Sequence, residues 1–208
     1  MHDAATGRLV RTVPTGDQTL AGLHAVSSRH ALFSRSSDAH LFVADLAGAR
    51  RAIGPLDFAG HWSSAWSPDG KTALAADWKL RRFDRTGALL AEATLDGEVR
   101  TGVWSPDGRW YAAGSDRAVA AYAASGNRTL WTSTAVVQPI AVVDRALLAA
   151  RDREQVGTLV LLDARTGAER GRLVGGELAG TIERLFALPG RKLAAAAWEG
   201  RILVWKVP

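Results

Sequence analysis

The chain has no cysteine. That excludes disulfides and thiolate metal sites. No apolar run approaches the length a membrane-spanning helix needs, so no membrane span is expected. The opening stretch, Met1-His2-Asp3-Ala4-Ala5-Thr6-Gly7, has neither a basic region nor an apolar one. A secretion signal is therefore not expected, and a cytoplasmic location is. The positive charges form no block. The net charge is +5, yet the nearest things to clusters are the pairs Arg50-Arg51 and Arg81-Arg82, set among acids. Nucleic acid is not an expected partner. A genome rich in G and C explains the abundant Arg and Ala more simply.

What is present is a repeat. Asp-x-x-Thr-Gly or a close relative occurs as Asp3-Ala4-Ala5-Thr6-Gly7, Asp45-Leu46-Ala47-Gly48, Asp84-Arg85-Thr86-Gly87, Ala123-Ala124-Ser125-Gly126 and Asp163-Ala164-Arg165-Thr166-Gly167. The closing glycines are separated by 41, 39, 39 and 41 residues. A constant period near forty marks a stacked or radial repeat architecture. Within one period the pattern reads as four short strands. Ser63-Ser64-Ala65-Trp66 is followed by the turn Ser67-Pro68-Asp69-Gly70, whose proline presets φ and whose glycine accepts a positive one. Lys71 to Ala76, Leu80 to Phe83 and Ala88 to Leu95 supply the other strands, with Asp77-Trp78 at one reversal. The next unit repeats this from Val103-Trp104-Ser105-Pro106-Asp107-Gly108, offset by 38.

No such unit buries both its faces alone, so neighbours must pack face to face. The expected fold is all-β: a β-propeller of five four-stranded blades, at about 20–59, 60–97, 98–137, 138–178 and 179–208 plus 1–14. The last unit stops after its third strand, at Trp205. The segment Arg8-Leu9-Val10-Arg11-Thr12-Val13 follows a turn of the kind that precedes a fourth strand. It is expected to complete the last blade and close the ring.

With Trp-Ser-Pro-Asp-Gly at 66–70 and 104–108, turn aspartates Asp38, Asp77 and Asp116, and third strands ending Phe83-Asp84, Leu162-Asp163 and Trp205-Lys206, the chain resembles the WD40-repeat family in its degenerate bacterial form. The resemblance covers essentially the whole chain. It departs from the family in two ways. The Trp-Asp pair is never intact: Ala44, Phe83, Tyr122, Leu162 and Trp205 hold the Trp position. The Gly-His pair occurs once, as Gly60-His61, close to Trp66. The family usually has seven blades. The resemblance implies a non-enzymatic scaffold for a protein or peptide, docked on one rim of the ring, with no cofactor.

Candidate site residues follow from phasing. Trp62, Trp78 and Trp198 fall beside loops that line one rim in that family, and Arg100, Arg117 and Arg151 fall near the same rim. Exposed Trp and Arg are the usual anchors of protein interfaces. Packing between blades is an equal competitor for the tryptophans. Trp66, Trp104 and Trp205 lie within strands and are expected in the core, and Trp110 and Trp131 are left between core and surface. The histidines lack metal-binding spacing, and no metal ligand is expected. Ser67, Ser105, Asp69 and Asp107 sit in repeated turns, which points to structure rather than catalysis. Two alternatives stay open: a five-bladed carbohydrate-binding or glycoside-hydrolase propeller, and a fragment of a larger multidomain WD40 protein. As a ring acting alone the protein is expected to be a monomer.

Overall fold

The structure is a computed structural model. It describes residues 20–26, 30–35, 41–45, 50–53, 63–76, 78–175, 182–197 and 200–208. Every element among them is a β-strand. The first sheet holds β1 (Leu20–Val26), β2 (His30–Arg35), β3 (Leu41–Asp45) and β4 (Arg50–Ile53). The second holds β5 (Ser63–Trp66), β6 (Thr72–Ala76), β7 (Leu80–Asp84) and β8 (Leu89–Ala93). The third holds β9 (Val99–Trp104), β10 (Trp110–Ser115), β11 (Val119–Ala123) and β12 (Thr129–Ser133). The fourth holds β13 (Val136–Val142), β14 (Leu147–Asp152), β15 (Thr158–Asp163) and β16 (Glu169–Val174). The fifth holds β17 (Ile182–Leu188), β18 (Lys192–Ala197) and β19 (Ile202–Lys206). Each sheet is an antiparallel meander in chain order. Val136 and Val137, assigned to the third unit by period alone, lie in the first strand of the fourth sheet.

The turns explain the recurring motif. The Asp84 carboxylate accepts bonds from the Thr86 N–H at 2.7 Å, the Thr86 hydroxyl at 2.6 Å and the Ala88 N–H at 2.9 Å. Asp163 does the same for Arg165 N–H, Thr166 N–H and the Thr166 hydroxyl. Gly87 and Gly167 close these turns at φ of 88° and 72°, a region that side chains with a Cβ avoid. The other repeated turn is equally self-contained. The Ser67 hydroxyl donates to Asp69 at 2.7 Å and accepts the Thr72 N–H at 3.0 Å. Ser105 donates to Asp107 at 2.9 Å and accepts the Trp110 N–H at 3.1 Å. These serines and aspartates are engaged in closing hairpins.

The first strands meet in succession: β1 with β5, β5 with β9, β9 with β13 and β13 with β17. The core therefore lies between sheets. One cluster joins Val43 to Trp66, Ala73, Ala75 and Phe83. Another joins Leu74 and Leu80 to Tyr111, Ala113 and Tyr122. A third joins Val119 and Trp131 to Ile140, Leu148 and Leu162. A fourth joins Ala149, Leu159 and Leu161 to Ile182, Leu185 and Leu193. Each fully buried Leu or Ile in these seams contributes about 1.5–3 kcal/mol.

The second strands carry runs of alanine: Ala73, Ala75 and Ala76, then Ala112 and Ala113, Ala149 and Ala150, Ala194 and Ala195, all buried. They lie mid-sheet with a neighbour on each side, and a small side chain permits close approach. The alanines are thus a packing device, whatever the genome's base composition contributes.

Tryptophans fasten the sheets. The Trp110 indole N–H donates to the Arg145 carbonyl at 3.1 Å, and that of Trp131 to the Ala164 carbonyl at 2.8 Å, both from the third sheet to the fourth. The Trp205 N–H reaches the Val174 carbonyl at 3.5 Å, from the fifth sheet to the fourth. Trp110 and Trp131 are thus core residues. Arg82 crosses the second seam, donating to the Ala124 carbonyl at 2.6 Å with its guanidinium 5.7 Å from the Tyr111 ring centre. Tyr111 and Tyr122 stack at 5.3 Å. Burial, with Tyr111 alongside, pushes the Tyr122 hydroxyl up to about 12.

The segment 8–13, expected to complete the last sheet, lies outside the described residues. β19 has no strand on its outer edge among them. The first strands β17 and β1 make no contact comparable to those of the other successive pairs.

Candidate partner-binding rim

All first strands run the same way. Their starting ends, with the second-to-third strand reversals, form one rim, and their finishing ends form the opposite one. Trp78 sits on the first rim, at the reversal between β6 and β7. Its φ is 82°, in the left-handed region, where a bulky side chain is strained. The next sheet holds it there. The Trp78 N–H donates to the Val99 carbonyl at 3.3 Å, and the Val99 N–H returns a bond to the Trp78 carbonyl at 3.2 Å. Val99 is fully buried, whereas the Trp78 side chain remains 47% exposed. A fixed backbone thus carries a displayed ring.

The charges around Trp78 are largely matched. Glu92 accepts from Lys79 and from Arg81, each at 2.9 Å. Lys79 first, then Arg81, hold the Glu92 carboxyl below its ordinary range. Arg100, next to Val99, is half-exposed and pairs with Glu98 at 2.7 Å. Arg117 lies at the β10–β11 reversal and reaches Asp96 at 3.5 Å. The Ser115 hydroxyl fastens this reversal to the preceding loop through the Asp96 carbonyl at 2.5 Å. Asp116 accepts the Glu98 N–H at 2.9 Å. Trp78, Arg100 and Arg117 thus occupy neighbouring stations on one rim.

Arg151 differs. It is half-buried near the end of β14 and its Nε donates to the Gln138 carbonyl of β13 at 3.2 Å. Burial lowers its guanidinium from the usual range. Trp62 and Trp198 lie outside the described residues. Among the described residues no group of three His, Asp or Glu side chains is placed to hold a metal ion.

Sequence reasoning missed the opposite rim. There the finishing ends of the first strands surround a cavity of about 380 Å³ lined by Trp66, Pro68, Trp104, Pro106, Ile140 and Phe186, among others. The doubled Trp-Ser-Pro was its one visible trace. The remaining lining came from β13 and β17, which lack that motif.

The family model for the WD domain, G-beta repeat, matches residues 91–121, from within β8 to within β11. That stretch of the chain is similar to a single WD40 repeat. The chain's fold agrees with that of the β-propeller domain of Cps50 (Swd1) from Myceliophteria thermophila, at a TM-score of 0.76 and 18% identity, covering 100% of this chain and 75% of that one. It also agrees with a chain of the crystal structure described as the Mitotic Checkpoint Complex, at a TM-score of 0.75 and 15% identity over 91% of this chain. This WD40-like propeller spans 64% of that chain's length. No curated protein matches it in sequence.

Proposed function

We propose that this WD40-like propeller is a non-enzymatic scaffold that docks a protein or peptide segment on the rim bearing Trp78, Arg100 and Arg117. The observation that carries the reading is Trp78. Glycine would occupy φ of 82° without strain, yet a tryptophan stands there, held by two backbone bonds, with its ring half in solvent. Strain of about 1–3 kcal/mol retained at an exposed position points to use. A ring on so constrained a backbone loses little freedom when it is covered, which favours binding. Arg117 flanks it as a hydrogen-bond donor whose ion-pair partner, Asp96, is an exposed acid, so exchange for a ligand carboxylate or carbonyl costs little there, and Arg100 stands beside it on Glu98. WD40 propellers are generally scaffolds, and one solved neighbour comes from a structure whose description names a protein complex.

Peptides selected on the full chain from a displayed random library test this. Trp78→Gly removes the ring and also relieves the backbone. The variant is expected to melt no lower than the parent and to bind the selected peptides at least about tenfold more weakly, a loss of roughly 1.4 kcal/mol. Equal binding by the variant would show that the rim is not the docking site.

A further inference from the structure

Two buried indole N–H groups differ from the rest. Those of Trp110, Trp131 and Trp205 reach the carbonyls of Arg145, Ala164 and Val174. Those of Trp66 and Trp104 are buried and have no acceptor among the described residues. An indole N–H can only donate, and a buried donor nearly always finds a partner. Both rings line the same cavity, where β5 and β9 finish. Trp66 is 9% exposed, so its ring is set into the wall. His30 backs Trp66 at 5.4 Å between ring centres, and Tyr111 backs Trp104 at 5.1 Å. The lining is apolar apart from Ser105, with Ile140 contributed by β13 and Phe186 and Ala187 by β17. At about 380 Å³ the space lies in the range of ligand pockets.

The turns that follow these four first strands carry one cation or more each. Lys71, Arg109 and Arg191 stand immediately before β6, β10 and β18, and Arg145 two residues before β14. The carboxylates of these turns are drawn onto their own backbone. Asp69 accepts the Ser67 hydroxyl and the Lys71 N–H, Asp107 the Ser105 hydroxyl and the Arg109 N–H, and Asp144 the Ala146 N–H. The cations extend outward: the side chain of Lys71 is 75% exposed and that of Arg109 86%. Their pairs with these aspartates are long, at 3.5 Å for Lys71, 3.9 Å for Arg109 and 3.3 Å for Arg191. Exposed pairs of this kind hold weakly. Arg145 makes no ion pair among the described residues. The mouth of an apolar cavity thus offers cations to a guest.

We infer that this cavity takes up a bulky apolar side chain from an acidic segment of a partner protein. The side chain fills the space between Trp66, Trp104 and Phe186, an oxygen of the segment accepts the indole N–H groups, and flanking carboxylates meet the cations of the turns. A single anionic headgroup does not span cations standing on four separate turns. A concave apolar surface gives a membrane nothing to take in. A polypeptide supplies both the apolar tip and the spread of charge. The site lies on the rim opposite Trp78 and stands independently of that reading.

The probe is a short fluorescent peptide with one phenylalanine between runs of glutamate, titrated into the full chain by anisotropy. Saturable binding is expected, weakened at least about tenfold when the peptide's phenylalanine is replaced by alanine. Ala187→Trp fills the cavity from an exposed position. It should melt with the parent and bind at least about tenfold more weakly. The double variant Lys71→Glu, Arg109→Glu should lose binding by a similar factor and regain it with a lysine-for-glutamate peptide, which also shows that the variant is folded. On saturation the indole ¹⁵N–¹H resonances of Trp66 and Trp104 should move, while those of Trp110 and Trp131 stay. Absence of saturable binding overturns the inference, as does equal binding by Ala187→Trp or by the alanine peptide. Loss of binding in Trp78→Gly also overturns it, by moving the peptide to the other rim.

Discussion

The third and fifth sheets are written in the same repeat but live in different surroundings. The third strand of the third sheet, Val119 to Ala123, is buried at its first four positions. The third strand of the fifth, Ile202 to Lys206, alternates between exposed and half-buried. Trp131 of the third sheet is buried with its N–H bonded at 2.8 Å, whereas Trp205 is half-buried with a bond of 3.5 Å. The third sheet has a neighbour on each face and the fifth has one packed face among the described residues. The repeat motif specifies the hairpins of a sheet, and the neighbours decide how much of it becomes core.

The largest test of that contrast is truncation of the two tryptophans. Trp131→Ala is expected to cost about 3–5 kcal/mol in urea unfolding, and Trp205→Ala about 1–2 kcal/mol. Equal costs would mean that the fifth sheet is as fully enclosed as the third.

Acid gives an intermediate effect and separates the fourth sheet from the fifth. The Arg170 hydrogen bond foremost, against the opposing pull of burial and with help from Thr166, holds the Asp163 carboxyl well below the ordinary aspartate range. A carboxyl depressed by folding contributes stability that is complete above its unfolded value, near pH 4, and is lost as pH falls through the lower folded value. Protection of the Arg165 and Thr166 amides, measured against their intrinsic exchange rates at each pH, should therefore fall below about pH 4. The Asp163→Asn variant should lack that acid step. Lys206 holds the equivalent place in the fifth sheet and carries no carboxylate, so the backbone beside it should show no such step. A step of the same size in Asp163→Asn would assign it to another carboxylate.

The smallest effect is expected at Val204. Val204→Thr should change stability by no more than about 0.5 kcal/mol, as at an open surface. A loss above about 2 kcal/mol would show the far face covered in the unbound protein.

Much of the fold was legible in the chain. The period placed the sheets, because a turn that needs Asp, Thr and a positive-φ Gly recurs only where a hairpin recurs. Ser67, Asp69, Ser105 and Asp107 were readable as hairpin residues for the same local reason. The alanine runs were open to a genomic explanation until the sheets were seen stacked against each other. Trp110 and Trp131 were undecided because their partners, the carbonyls of Arg145 and Ala164, lie more than thirty residues away. Arg151 was grouped with the rim by phasing; its half-burial and its Nε bond to the Gln138 carbonyl were not legible. At Trp78 the reversal was legible, but not the strained φ or the two bonds to Val99.

The amino-acid order by itself determined the local geometry: strands of a few residues, the turns between them, and the repeat that makes sheets alike. Those are short-range preferences of φ, ψ and nearby hydrogen bonds. Only the tertiary structure decided which sheet faces are covered, and which indole is fastened and which is displayed. Burial depends on what lies across a seam, and the residues on the two sides of a seam are far apart in the chain.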